Sequence, residues 1–404
     1  MSSRTKKELL RRALRENAGV LPLLPAWVPR DFISPGGRMK LAPGDLYAFG
    51  AQRGGIDERW LASVTRADNG PETLPDEGMS YCLLGSGGGR ERLLLAEAFE
   101  LLPDELLGAP LIAAGGWTVL GKIFDNLDPL PVHLHPIEAD AALVGRHAKP
   151  EAYYFPAELN LAEGRFPYTC FGLKPGTTKD DVKRCLADWR RGESAILNYT
   201  VAYRTSPGLA YNVPAGILHR PGTLVTYEPQ RDSDVCIIFE SMIGGRPAPW
   251  RLVTKDIPPE HREDLDYIVD RIDWEANLDP DFLAKNTLVP LPAREPEETR
   301  SSGFREMRII YGQSDFAANE VRLPPGERVT VRDEIPYAML AVAGHGRVGN
   351  VPIETPAVIR FGEPAGDEVF VSFEAARAGL AIENLSTTSE LVLLKHFRPL
   401  RASG

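Results

Sequence analysis

The strongest constraint on this chain is where it places its few histidines. There are 7 His in 404 residues. His133 and His135 sit in Pro131-Val-His-Leu-His-Pro136, and His219 ends Pro214-Ala-Gly-Ile-Leu-His219. Between them lies Glu151, in Lys149-Pro-Glu-Ala-Tyr-Tyr-Phe155. A strand repeats its facing every two residues, so His133 and His135 point to one side of an extended segment, and Lys149 and Glu151 do the same. The aromatic run 151–155 has the composition of a strand. Residues 209–216 read as a strand entering a Pro-Gly turn, which then presents His219. Three imidazoles and a carboxylate from three separate strands suit a divalent transition metal. The pattern predicts a metal centre inside a β-barrel, with His133, His135, Glu151 and His219 as ligands. Zinc is the first choice of ion, and iron, manganese and nickel are the alternatives.

Composition bounds the rest. A chain of 404 residues is long enough for two or more domains. Its 43% hydrophobic and 25% charged residues match a globular protein, so a packed core is affordable in area terms. The 35 Pro and 37 Gly favour many turns and hence β structure. A net charge of -10 argues against nucleic acid and against an anionic membrane surface as partners. Cys82, Cys170, Cys185 and Cys236 show no C-x-x-C spacing, and read as reduced thiols of a cytoplasmic protein. The first sixteen residues are charged, without the apolar stretch of a secretion signal. Leu9, Leu10, Ala13 and Leu14 give them the spacing of an amphipathic helix packed on its own domain. No segment has the length and apolarity to span a bilayer.

Four regions follow in order. Residues 1–115 mix short apolar runs with Gly and Pro, and are expected to pack on the first barrel and complete it. Within them, 93–107 is the clearest helical stretch, ending before Gly108, and Gly85-Ser-Gly-Gly-Gly89 reads as a loop. Residues 116–254 alternate strands and turns, hold the four ligands, and are interrupted by a helix over 178–191. Residues 255–303 open with Pro258-Pro259 and a charged stretch of helical period, then become a linker over 290–303. Residues 304–404 return to short strands, with only His345 and His396, and are expected to hold no metal.

Several motifs, in this order, resemble a known family. They are Gly54-Gly-Ile-Asp-Glu58-Arg-Trp60, the stretch from Leu120-Gly-Lys122 to His135-Pro136, Lys149-Pro-Glu151, the turn ending at His219, and Glu228-Pro-Gln-Arg-Asp-Ser-Asp234. The chain is similar in these to the class I mannose-6-phosphate isomerases of the cupin superfamily. The resemblance implies a mainly β fold of two cupin-type (jelly-roll) β-barrels with helical insertions. It also implies an aldose–ketose isomerase acting on a sugar or sugar phosphate. His133 stands where the family usually has Gln. Ile238 stands where the family has an Arg linked to substrate binding, which makes a non-phosphorylated sugar an expectation in its own right.

Isomerisation moves a proton between two adjacent carbons. It needs an electrophile on the carbonyl, a base, and a pocket that aligns the two oxygens. Glu228 is the candidate base and Lys149 its partner; Tyr153, Arg220 and Asp234 are the candidate substrate contacts. Tyr153 and Tyr154 alternate in facing, so one of them lines the pocket. Arg204, Arg220 and Arg231 are the candidates to replace the missing Arg, while Trp60 and Trp117 are read as core. Two other readings use the same ligands: a metal-dependent oxygenase, and a sugar-binding regulator without turnover.

Overall fold

The structure is a computed structural model and describes residues 2–85, 91–161, 166–193, 195–295 and 303–400. Its architecture is mainly β, built from antiparallel sheets. Among the described residues, one sheet orders its strands 287–288, 210–213, 151–154, 226–231, 119–124, 55–61 and 26–30. A smaller sheet carries 200–204, 168–173, 219–220, 133–134 and 237–238. Phe124, Tyr153 and Val213 of the first share one apolar cluster with Phe171 and Ile217 of the second side, so the two sheets face each other. The ligand candidates lie between them.

A second pair of sheets repeats the plan. Strands 305–310, 317–323, 391–397, 337–343 and 368–371 form the body of a larger sheet. It packs across Met339, Leu393 and Ile382 on a sheet of strands 328–331, 380–384, 345–348 and 351–354. The two large sheets stack back to back through Ile123, Ala152, Tyr154 and Tyr227 on one side and Ala318, Leu340, Phe370 and Leu394 on the other. The order is therefore four β layers, small–large–large–small. A sheet covered on both faces needs continuous rather than alternating hydrophobicity. Strand Val119–Phe124 is buried at all six positions, accordingly.

The strand alternation directs chemistry. Glu151 and Tyr153 point toward the small sheet, while Ala152 and Tyr154 point into the stack between the large sheets. Tyr154 donates to Glu320 across that stack at 2.6 Å. Arg59, on Gly55–Leu61, spans the same boundary and forms two 2.7 Å hydrogen bonds to Asp367 and a third at 3.0 Å to Glu368.

Residues 1–115 contribute to both large sheets. Val20–Leu24 pairs with Glu368–Val371, whereas Ala26–Arg30 and Gly55–Leu61 join the ligand-bearing sheet. The first helix, Ser3–Glu16, buries Leu10 and Ala13 as its spacing predicts. The predicted helix over 93–107 is instead broken into three parts. Arg92–Leu94 is a strand, Leu95–Leu101 a helix, and Pro103–Leu106 a separate turn. Pro103 has no N–H to continue the ladder and forces Leu102 out of the helical region, at φ -134°. Gly108 opens one more short helix, Gly108–Ala113, instead of closing the stretch. The charged stretch after Pro258 is likewise a 3-10 turn and then Leu265–Val269, because Asp264 caps a fresh start by accepting from Tyr267 N–H. The helix predicted over 178–191 is Lys179–Ala187, started by a capping box between Thr178 and Asp181. Residues 86–90 of the glycine run and 296–302 of the linker lie outside the described residues. Among those described, no helix is long and apolar enough to cross a membrane.

Two measurements test this architecture. Arg59→Ala should cost about 3–5 kcal/mol of unfolding free energy, since it strands two buried carboxylates. A loss under about 1 kcal/mol in urea titration would show that the boundary does not depend on the pair. Glu306 is buried, which opposes its charge, but Lys395 and Arg294 hold its carboxyl down to about 2. A depressed carboxyl stabilises the fold above its unfolded pKa and stops doing so as pH falls through the folded value. Stability of about 3 kcal/mol should therefore fade between pH 4.5 and about 2, and Glu306→Gln should flatten that limb of the pH–stability curve.

Candidate metal centre

Each ligand candidate is held by local geometry that fixes which atom it offers. His133 Nδ1 lies 2.7 Å from Pro131 O, and His219 Nδ1 lies 2.8 Å from Ile217 O. His135 Nδ1 lies 2.7 Å from Val235 O. A carbonyl oxygen only accepts, so in all three rings Nδ1 carries the proton and Nε2 keeps its lone pair. This is the outer-shell arrangement that orients metal-ligating imidazoles.

The lone pairs then meet a carboxylate. His135 Nε2 is 2.9 Å from Glu151 Oε2, and His219 Nε2 is 3.1 Å from Glu151 Oε1. The His133 ring centroid is 4.1 Å from that of His219 and 5.1 Å from that of His135. Glu151 is fully buried and His219 is 1% exposed. His219 Nε2 has no hydrogen-bond partner. Lys149 Nζ, 3.1 Å from His135 Nε2 and 2.8 Å from Glu151 Oε2, bridges the first contact, while His219 Nε2 and Glu151 Oε1 face each other as two acceptors, a conflict that a cation placed between them removes. The separations are close to the ~3.3 Å edge expected of two ligands each about 2.0 Å from one tetrahedral ion. The donor set of neutral imidazoles and one carboxylate fits such an ion.

Burial sets the protonation states. Desolvation, reinforced by the neighbouring imidazoles, pushes His133 well below its usual range. Desolvation and the adjacent Lys149 push His135 down to about 3. Burial opposes the Glu151 charge, but the adjacent Lys149 holds its carboxyl well below the usual range. Lys149 Nζ is 2.8 Å from Glu151 Oε2 and 3.4 Å from Glu228 Oε1. Burial disfavours its charge, yet those two carboxylates raise its pKa. Glu228 differs from Glu151: burial and the nearby Glu151 charge push it up to about 8, against the pull of Lys149 and Lys122.

These groups floor a cavity of about 200 Å³. His133, His135, Lys149, Glu228 and Asp234 line it, as does Ile238, which pairs with His133. Glu151 and His219 lie behind this lining.

Two of the predicted substrate contacts are placed elsewhere. Tyr153 is fully buried and donates to Glu151 Oε1 at 2.7 Å, so it orients a ligand and does not touch the pocket. Neither does Tyr154 line the pocket, being committed to Glu320. Arg220 turns away, with Nε 3.1 Å from Glu240 Oε2 and Nη1 2.8 Å from the Tyr168 hydroxyl. Gly222 explains why this corner is tight, because a Cβ there would sit 1.5 Å from Tyr168 O. Arg231 is paired with Glu138, and Arg204 lies 5.9 Å from the Phe166 ring. None of the three arginines named for the missing cation lines the cavity.

An arginine that does line it was not visible in the sequence. Arg30 reaches the cavity from strand Ala26–Arg30, held by Glu58 at 2.8 Å and Asp234 at 3.0 Å. Lys122 joins the same network, 3.4 Å from Glu58 and 4.8 Å from the Trp60 ring centre. No motif marks Arg30; only the position of Glu58 and Trp60 within one quoted segment hinted at this wall.

No described protein family matches the sequence, and no curated protein matches it. Solved structures do match in shape. A mannose 6-phosphate isomerase from Bacillus subtilis superposes with TM-score 0.58 at 13% identity, covering 94% of this chain and 99% of that one. The Salmonella typhimurium enzyme, solved bound to substrate (f6p) and zinc, gives TM-score 0.57 at 13% identity, covering 93% and 99%. At such identities the likeness establishes the fold. The chain shares the fold of these mannose 6-phosphate isomerases over nearly its whole length.

Removing the Tyr153 hydroxyl tests the orienting role. Tyr153→Phe should weaken zinc binding about 10–100-fold while keeping one ion per chain, measured by competition with a chromophoric chelator. An unchanged affinity would remove Tyr153 from the centre's support.

Proposed function

We propose that this protein is a metal-dependent aldose–ketose isomerase acting on a non-phosphorylated sugar. The observation that carries the reading is the Lys149–Glu228 pair, 3.4 Å apart, on the pocket side of a buried His/Glu/His cluster. His133, His135, Glu151 and His219 would hold one divalent ion, with zinc the first choice. That ion, when bound, supplies Lewis-acid polarisation of the sugar carbonyl.

The side chains divide the remaining work by their protonation. Glu228 is poised near neutrality, at about 8 without an ion, and a nearby cation would draw it lower. A carboxyl so placed can take a C–H proton from one carbon and return it to the next. Lys149 holds its proton firmly, because two carboxylates stabilise its charge. It is therefore the better fixed donor to a developing enediolate oxygen than a proton carrier. Asp234, held by Arg30, offers carboxylate acceptors to sugar hydroxyls along one wall, while the Arg30 N–H groups are taken by Glu58, Asn69 and Asp234.

The charge distribution of the cavity disfavours a phosphate on the substrate. Among the described residues lining the cavity, each cation already faces a carboxylate. Arg30 and Lys122 face Glu58, Lys149 faces Glu151, Lys255 is 3.2 Å from Asp256, and Arg251 is paired with Asp31. The lining also includes the carboxylates of Asp31, Glu58, Asp68, Glu228 and Asp234. A dianion entering this wall would have to break existing pairs, whereas a neutral polyol would not. Ile238 adds an apolar surface where a cation would otherwise help.

Zinc-loaded protein incubated with free aldoses in deuterated water should incorporate deuterium next to the carbonyl and form the ketose, followed by NMR. Glu228→Gln should slow exchange by roughly 10²–10⁴-fold with metal content unchanged. Turnover of mannose 6-phosphate at the rate of free mannose would sink the non-phosphorylated assignment. Oxygen consumption by an iron-loaded form, without exchange, would replace the isomerase reading with an oxygenase.

A further inference from the structure

One pocket-facing side chain is left over by this chemistry. Cys236 lines the cavity beside His133 and His135. Its Sγ and one ring nitrogen of each of those histidines lie within 4.8 Å of one another. The sheet builds this placement. Ile238 pairs with His133 and Ile237 with Leu134 in antiparallel register, which sets Cys236 across from His135. Directly opposed residues on paired strands point to the same face. Cys236 N–H donates to Asp256 Oδ2 at 2.8 Å, which anchors the backbone just before that strand.

A second observation points to an ion at the adjoining group His135, Glu151 and His219, which shares His135 with this one. His219 Nε2 is buried without a hydrogen-bond partner and faces Glu151 Oε1 at 3.1 Å. Glu151 and His219 close the centre from the protein side, while His133, His135 and Cys236 border the cavity. Cys82, Cys170 and Cys185 are all buried, and none of them belongs to a ligand group among the described residues. Thiolate is a strong ligand for zinc, at about 2.3 Å. It adds softness to a set that is otherwise imidazole and carboxylate.

We propose that Cys236 joins His133 and His135 in holding an ion on the pocket side of the centre, and that it gives the centre a soft donor there. The inference rests on the metal-centre reading above. On coordination the S–H bond breaks, the sulfur–metal bond forms, and the proton leaves through the cavity to solvent. The thiolate cancels one unit of the ion's charge.

Cobalt(II) titration of the metal-free full-length protein tests this by absorption. Cobalt bound by nitrogen and oxygen gives visible d–d bands, and a cobalt–thiolate bond adds a near-ultraviolet charge-transfer band. The wild-type protein should show both, saturating at one cobalt per chain. Cys236→Ser and Cys236→Ala should lose the charge-transfer band and keep the visible bands, while Cys185→Ser should keep both. Visible bands without charge transfer in the wild type, or a charge-transfer band that survives both Cys236 variants, would overturn thiol ligation and leave the centre intact. Absence of any cobalt band at all would sink the metal centre, and the thiol ligand with it.

Discussion

The rest of the site depends on keeping one carboxylate charged inside a β-sandwich. Glu151 has no exposed surface and sits among aromatic side chains. An isolated carboxylate in such surroundings would take up a proton rather than stay ionised. Its neighbours prevent that. Lys149 approaches one oxygen, Tyr153 donates to the other, and His135 and His219 turn their Nε2 atoms toward the pair. The concentration of lone pairs that results is a poor structure for a protein by itself and a good one for a cation. His133 and His135 cannot relieve it by taking protons, since burial keeps both neutral.

The layered fold makes this possible through strand periodicity. On Glu151–Tyr154, two side chains serve the centre and two serve the stack between the large sheets. A slip of one residue in register would send Glu151 into the apolar stack and Ala152 into the centre. The pairing of Glu151–Tyr154 with both Ala210–Val213 and Thr226–Arg231 opposes such a slip. The same rule carries Glu228 and Lys122 to the cavity from neighbouring strands, where they lie opposite one another. The second pair of sheets supports the first from behind, through Arg59, Tyr154 and the shared apolar cluster.

Electrostatics in the cavity is a balance rather than a field. Its cations and carboxylates are interleaved, and Arg30 is shared between Glu58 and Asp234. Buried pairs of this kind fix positions more than they add stability. They give a wall of immobilised charged groups. The one departure from balance is Glu228, whose raised pKa follows from burial beside Glu151. Perturbed groups in a cleft are where proton transfer is expected.

The sequence by itself determined the types of the candidate ligands and much of their local aim. Two residues of spacing set His133 and His135 on one face, and His133 and His219 each find a carbonyl two residues back to fix the tautomer. Such features need only a short stretch of chain. The helix expected over 93–107 failed for a local reason as well, since Pro103 outweighs an otherwise continuous apolar period. Tertiary structure alone decided the rest. It took Tyr153 out of the pocket and paired it with Glu151, turned Arg220 toward Glu240, and brought Arg30 and Cys236 to the cavity. Those outcomes turn on which strands become neighbours and in what register. Partners such as Arg30 and Asp234 are brought together only by the pairing of distant strands, and no short-range spacing encodes that.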